Sequence, residues 1–428
     1  MANQGAFVQT FTARGKLLLS GEYLVLDGAV GLGLPARLGQ SLRVEQTEQV
    51  DSLHWRSLDV QGQAWVERRF TRRELRQPPA AVDREPADRV ARLLHQVLTA
   101  HPRIWPRGVG LRLTAQLEFE RAWGLGSSAT LAYLLASWGA YDPYELNQAE
   151  FGGSGYDIAT SSAEGPLRYR LQQGKPQVEP IRWSPHFLDQ LWLIHLGKKQ
   201  NSRTSIADYR SQAERDLGRF AAELDVITDE LQGAETLAAF SDAMRRHEAL
   251  VGYVTHQTPV GKTRFPDLPG TIKSLGGWGG DFALVASKAT RAELAAYFKR
   301  HSLTTLLPLS EVVLTREAPI VARPVLARPG RWLVFLYGAL AEPRVDNEWL
   351  TGHRYWLGDL LDYAVDVAQV SSSPYPKAGR IVPGTLVELN TEEIQALDVH
   401  PQGHGFRRTQ VRVLTSTGEE VPAQAWLG

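Results

Sequence analysis

The chain has 428 residues, room for two or three domains, with an ordinary soluble balance of 43% hydrophobic and 22% charged residues. Lys+Arg and Asp+Glu are equal at 47 each, so net charge favours neither a nucleic acid nor an anionic membrane, and neither is an expected partner. Cysteine is absent, which excludes disulfides, thiol nucleophiles and cysteine metal sites; with no signal-peptide pattern at the start and no apolar run near the roughly 20 residues of a membrane span, a cytoplasmic location is expected.

Phe7–Thr12 alternates as a strand does. Ala13-Arg-Gly-Lys-Leu-Leu-Leu-Ser-Gly-Glu-Tyr23 follows and reads as a polar turn, a short apolar run and a second turn. Short strands are expected near Ser41–Glu45, Leu53–Arg56 and Ala64–Phe70, and Val90, Leu93, Leu94, Val97 and Leu98 mark one face of a helix. Val109, Leu111, Leu113, Ala115, Leu117 and Phe119 repeat with a period of two, and Thr130–Trp138 is an apolar helical run. Leu191–Leu196 reads as a buried strand that runs into a basic, hydroxyl-rich loop, Gly197–Thr204. Apolar residues three or four apart from Ile206 to Leu231 predict an amphipathic helix, paired in a hairpin with a second over about Glu235–His256. Thr290 and Glu293 form a capping box for a helix over Arg291–Arg300. Residues 316–330 carry Pro319, Pro324 and Pro329 without periodicity and read as a linker, after which Trp332–Leu336 is a buried strand and the remainder is rich in strand and turn signals.

Between the alternating strand and the apolar helix lies Gly124-Leu-Gly-Ser-Ser-Ala129. Glycines let backbone approach a ligand, and a helix start presents unpaired N–H groups with a positive dipole end, so this is an anion site with phosphate as its natural occupant. A serine cap on a core helix is the competing reading. Two further glycine-dense stretches follow, Phe151–Thr160 and Gly276-Gly-Trp-Gly-Gly-Asp281.

Lys16 in its motif, Gly124–Ala129, and Gly276–Asp281 stand in an order that resembles the GHMP kinases, which phosphorylate small alcohols. The first motif is most similar to mevalonate and phosphomevalonate kinases, and Ser154-Gly-Tyr-Asp-Ile-Ala159 resembles the segment naming the bacterial GYDIA subgroup. The resemblance covers about residues 5–315. It implies an α+β, two-lobed kinase fold, with a ribosomal-protein-like ATP-binding lobe over 5–165 and a ferredoxin-like lobe over 166–315. It implies ATP and Mg²⁺ as cofactors and a small hydroxyl compound as substrate, a mevalonate-like acid first and a sugar second. Asp157 would take the acceptor's proton or orient its hydroxyl, with Lys16 beside it. Gly124, Leu125, Gly126, Ser127, Ser128 and Ala129 would hold the ATP phosphates, and Gly276, Gly277, Gly279 and Gly280 would let backbone approach the nucleotide or substrate. Ser128 and Glu145 are the metal candidates, although neither Glu145, Glu150 nor Asp142 fits the family's spacing for a metal glutamate. Lys198 and Lys199 are candidates for anion contacts, Glu22 for the pocket border, and Trp278 for reshaping the pocket.

Residues 331–428 resemble a γ-glutamylcyclotransferase-like domain, a small β-barrel, through Phe335–Leu340, Pro383-Gly-Thr-Leu386, Leu397-Asp398 and Phe406-Arg-Arg408. Gln402 stands where active relatives carry the acid/base glutamate, and an amide cannot exchange a proton near neutral pH. His400 and His404 lie in the same loop. Two alternatives to a kinase stay open: a nucleotide-binding regulatory module without catalysis, and γ-glutamylcyclotransferase chemistry in the C-terminal domain.

Overall fold

A computed structural model describes residues 8–80, 85–197, 209–210, 217–276, 278, 281–315, 331–336, 355–364, 375–390, 393–395, 407–415 and 420–427. The chain divides into two compact units, Met1–Pro319 and Ile320–Gly428. Lys198, Lys199, Gly277, Gly279, Gly280, the linker residues 316–330, His400, Gln402 and His404 lie outside the described residues.

The first unit starts with β1 (Val8–Ser20), which pairs antiparallel with β2 (Gly31–Thr47). With β3 (Ser52–Leu58), β4 (Ala64–Thr71), β5 (Gly110–Leu117), β6 (Leu167–Gln172) and β7 (Lys175–Pro180) they make a seven-stranded sheet, six strands in the order β4-β3-β5-β2-β6-β7 and β1 paired with β2 off that path. The period-two pattern of β5 turns Leu111, Leu113 and Ala115 inward, where helix α2 (Pro86–Ala100) and helix α3 (Ser127–Gly139) cover them with Val90, Leu94, Leu131 and Leu135. Because β6 and β7 continue this sheet, the first lobe runs to Pro180, beyond the expected boundary at 165.

The predicted turn at residues 13–16 is instead continuous strand. The register of β1 against β2 slips between Arg14 and Lys16, so the polar, glycine-containing segment is a bulge rather than a reversal. A bulge bends its strand and re-aims the next side chain, here Lys16.

A four-stranded antiparallel sheet follows in the order β11-β8-β10-β9, built from β8 (Leu191–His195), β9 (Thr271–Ser274), β10 (Phe282–Ala286) and β11 (Leu306–Pro308). Helices α6 (Leu217–Gly233) and α7 (Leu237–Thr255) form the expected hairpin. Leu17, Leu19 and Leu34 of the first sheet share one core with Leu193 and Leu284 of the second and with Leu224, Phe240 and Met244 of the helices. That shared apolar core fixes the two sheets against each other, which a site lying between them requires. Among the described residues no helix is long and apolar enough to cross a membrane.

In the second unit β12 (Arg331–Leu336), β13 (Tyr355–Ala364), β14 (Tyr375–Asn390), β15 (Arg407–Thr415) and β16 (Glu420–Leu427) close into a barrel in the order β12-β14-β13-β15-β16. Its interior holds Leu333, Phe335, Leu386, Val413 and Ala425.

The helix over Arg291–Arg300 has the predicted capping box: the Thr290 hydroxyl accepts the Glu293 N–H, and the Glu293 carboxylate accepts the Thr290 N–H. Thr290→Ala is expected to lower the unfolding free energy by about 1 kcal/mol in urea titration; an unchanged midpoint would remove the cap from the account.

Candidate active site

Helix α5 (Tyr156–Ser161) carries Asp157 in its first turn, beginning at Gly155 in the left-handed conformation. Tyrosines wall this start. The Tyr169 hydroxyl donates to the Ser154 carbonyl, the Tyr144 ring packs beside Gly155, and the Tyr156 and Tyr169 rings meet edge-on at 6.5 Å. Burial pushes the hydroxyls of all three upward, Tyr144 to about 12, so they serve as neutral walls.

Lys16 Nζ lies 3.0 Å from Asp157 Oδ1 and 5.2 Å from the Tyr156 ring centre. Burial opposes the charged ammonium, but the Asp157 carboxylate and Tyr156 outweigh it and hold Lys16 well above the ordinary lysine range. The Lys16 ammonium is therefore charged at neutral pH.

The glycine-serine loop joins this pair through backbone. The Lys16 N–H donates to the Leu125 carbonyl at 2.9 Å, and the Leu125 side chain is fully buried in the shared core. Gly126, at φ 89°, is the N-cap of α3, and no side chain caps the helix. The serine-cap reading fails here, because Ser127 and Ser128 already lie inside the helix. Ser128 is exposed, whereas Ala129 is buried and faces the core. A Cβ on Gly126 would come within 2.8 Å of Lys16 Cγ, and one on Gly124 (φ 67°) within 2.3 Å of the Asp281 carboxyl carbon. Both glycines are required by left-handed backbone and by close packing.

Lys16, Trp123, Gly124, Gly276, Asp281 and Phe282 line a narrow crevice between the two sheets. Lys16, Asp157, Gly124–Ala129 and Gly276, expected to act together, thus meet in one neighbourhood.

The other candidates lie elsewhere. Glu145 is exposed on α4 (Pro143–Glu150); with burial, it pushes the Tyr141 hydroxyl upward. Asp142 caps that helix, its Oδ1 accepting the Tyr144 and Glu145 N–H groups at 2.7 and 3.1 Å. Glu150 takes a two-pronged contact from Arg92, both distances 2.8 Å. None of these three carboxylates is among the residues that line the cleft. Among the described residues no three acidic or histidine side chains group as a metal site. A Mg²⁺ ion that keeps its waters and borrows phosphate oxygens needs few protein ligands. The exposed Ser128 hydroxyl and the Asp157 carboxylate, one oxygen of which faces Lys16, fit that modest demand. Trp278 is 4% exposed in the core, and its backbone N–H donates to the Tyr23 hydroxyl at 3.3 Å, so it is a core residue rather than one lining the cleft.

Glu22 is not at a pocket border. It is buried with Lys273, His247 and Glu248 in a cluster that sequence reasoning missed. Lys273 Nζ donates to the Glu22 carboxylate and, at 3.0 Å, to the Ser274 carbonyl; His247 Nε2 lies 2.9 Å from Glu22, and Glu248 Oε1 accepts the Ser274 N–H at 2.6 Å. Burial opposes the Glu22 charge, but Lys273 and His247 hold it below the usual carboxylate range. Burial and Lys273 push His247 down, keeping it neutral, and burial lifts Glu248 to about 7. The one available signal was Lys273 itself, a lysine between Ile272 and Leu275 on the approach to the third glycine stretch.

No protein-family model matches the sequence, and no curated protein matches it. Solved structures do match in fold. The mevalonate kinase of Methanococcus jannaschii superposes with a TM-score of 0.54 at 15% identity, covering 72% of this chain and 98% of that one. A Lactococcus lactis galactokinase complexed with galactose gives 0.52 at 13% identity, covering 72% and 93%. A Streptococcus pneumoniae phosphomevalonate kinase in complex with phosphomevalonate and AMPPNP gives 0.50 at 14% identity, covering 70% and 99%. Over about 70% of its length the chain therefore shares the fold of these three proteins.

Two consequences are measurable. Gly126→Ala forces a side chain into left-handed backbone against Lys16, and should cost about 1–2 kcal/mol in denaturant unfolding; wild-type stability would contradict the packing. Glu248 binds its proton more readily folded, at about 7, than unfolded, near 4.5, so it withdraws stability as the pH rises between those values. Glu248→Gln should therefore gain on wild type between about pH 5 and pH 8, with a ceiling of about 3 kcal/mol. A pH-independent difference would contradict the burial of that carboxyl.

Proposed function

We propose that the first unit is an ATP-dependent kinase that phosphorylates a hydroxyl group of a small molecule. The observation that carries this reading is the 3.0 Å Lys16–Asp157 pair beside an uncapped helix start. Phosphoryl transfer needs little covalent help from a protein; it needs phosphate held by N–H donors and cations, and a carboxylate at the attacking oxygen. The first turn of α3 supplies the donors, Lys16 the cation and Asp157 the carboxylate. In the step, the acceptor oxygen bonds to the γ-phosphorus, the bond from that phosphorus to the bridging oxygen breaks, and ADP departs. The acceptor's proton passes to Asp157, or is held by it while the oxygen attacks. Lys16 faces that carboxylate and offsets charge on the phosphate in transit.

Mg²⁺, when bound, neutralises phosphate charge; Ser128 and Asp157 are the side chains that would hold it. The preferred acceptor is a mevalonate-like hydroxy acid, with a sugar second. Support for this class comes from the motif order and from the shared fold with mevalonate kinase and galactokinase.

A non-catalytic nucleotide-binding module is disfavoured by the same pair, because nucleotide retention alone does not call for a carboxylate beside the lysine. For the second unit, the closed barrel suits the γ-glutamylcyclotransferase-like reading, and Gln402 argues against activity there.

ATP turnover against a panel of hydroxy acids and sugars tests the proposal. Asp157→Asn should lower turnover by about 10²- to 10⁴-fold with nucleotide affinity retained. Wild-type turnover in that variant would overturn the role of Asp157, and nucleotide binding without product from any acceptor would favour the non-catalytic reading.

A further inference from the structure

The buried Glu22 cluster is unused by the chemistry above, and its cost needs a reason. Taking several ionisable groups out of water is unfavourable, and an apolar replacement of equal volume is often as stable. What such a cluster supplies is registry, because partners buried without water tolerate few alternative arrangements.

The segments it joins are informative. Glu22 follows directly on β1, the strand that carries Lys16 and, with Leu17 and Leu18, one wall of the cleft. Lys273 and Ser274 end β9 immediately before Leu275 and Gly276, which belong to the opposite wall with Asp281. Glu248 and His247 come from α7, behind both. A second tie runs alongside, from the Tyr23 hydroxyl to the Trp278 N–H. The Leu275 N–H donates to the Phe282 carbonyl at 3.1 Å, so a shift at Ser274 passes directly into the hairpin that carries Asp281.

We propose that Glu22, Lys273 and Glu248 are positioning residues that hold the Lys16 wall and the wall formed by Leu275, Gly276 and Asp281 at the separation a bound nucleotide requires. The nucleotide part rests on the kinase reading; the positioning part does not. Glu248 is the member that acts on backbone, through the Ser274 N–H, and it can be altered without stranding the Glu22–Lys273 pair. Glu248→Gln keeps an acceptor for that N–H, whereas Glu248→Ala removes it.

The test compares wild type, Glu248→Ala and Glu248→Gln in the full chain by AMPPNP titration and by hydrogen exchange of the peptide Thr271–Gly276. Glu248→Ala should weaken AMPPNP binding by about five-fold or more, a typical coupling between sites, and Glu248→Gln should restore it to within about two-fold. Exchange in Thr271–Gly276 should quicken in the alanine variant while α3 exchanges as in wild type. Wild-type affinity with unchanged exchange in the alanine variant would overturn the proposal. So would quickened exchange spread through α3 and α7 alike, the mark of a merely structural role. If wild type binds no AMPPNP, the kinase reading fails, and the exchange pattern still decides the positioning claim: confined to Thr271–Gly276 it supports it, otherwise it overturns it.

Discussion

A lysine ammonium held against a carboxylate in a largely buried setting is the interaction on which the site depends. Removing Lys16 from water is unfavourable unless Asp157 faces it, and Asp157 can do so only if α5 starts where it does. Gly155, the tyrosine wall and the bulge in β1 are conditions of that contact. Two segments far apart in sequence are thereby brought to one point, and the serine loop joins them through the Lys16 N–H.

Around this point glycines let neighbouring side chains approach the loop backbone closely. Gly126 lies against the Lys16 stem, Gly124 lies against Asp281, and the first turn of α3 keeps its N–H groups free of any side-chain cap. Helix starts in globular proteins usually recruit a Ser, Thr, Asp or Asn cap. Here two serines follow the N-cap instead of occupying it, which leaves their hydroxyls and the backbone donors for a ligand. The apolar core shared by the two sheets keeps this arrangement rigid from behind.

Much of the fold was legible because it follows periodicity. The alternation of β5, the faces of α2, α6 and α7, and the box before Arg291 are local signals, and they appear where expected. Lys16, Asp157 and the serine loop were legible as motifs, since glycine spacing is written in the chain itself. The turn expected at residues 13–16 was misread because a bulge and a turn share the same glycine and polar residues; only pairing with β2 distinguishes them. The lobe boundary at 165 was misplaced because nothing local records which sheet β6 and β7 will join. Glu145 was proposed from proximity in sequence, yet Asp142 starts a helix that presents it to solvent. Of the Glu22–Lys273–His247–Glu248 cluster only Lys273 left a signal in the sequence, and Glu22 was read as a pocket border. Its members are scattered along the chain.

The central claim is spatial: a nucleotide's terminal phosphate meets the Lys16–Asp157 pair at the start of α3. The most direct measurement is a crystal structure with a non-hydrolysable ATP analogue. The account predicts phosphate oxygens over the Ser127–Ala129 amides and the terminal phosphate within hydrogen-bond reach of Lys16 Nζ. An analogue bound away from this helix start, or phosphates turned away from Lys16 and Asp157, would contradict it.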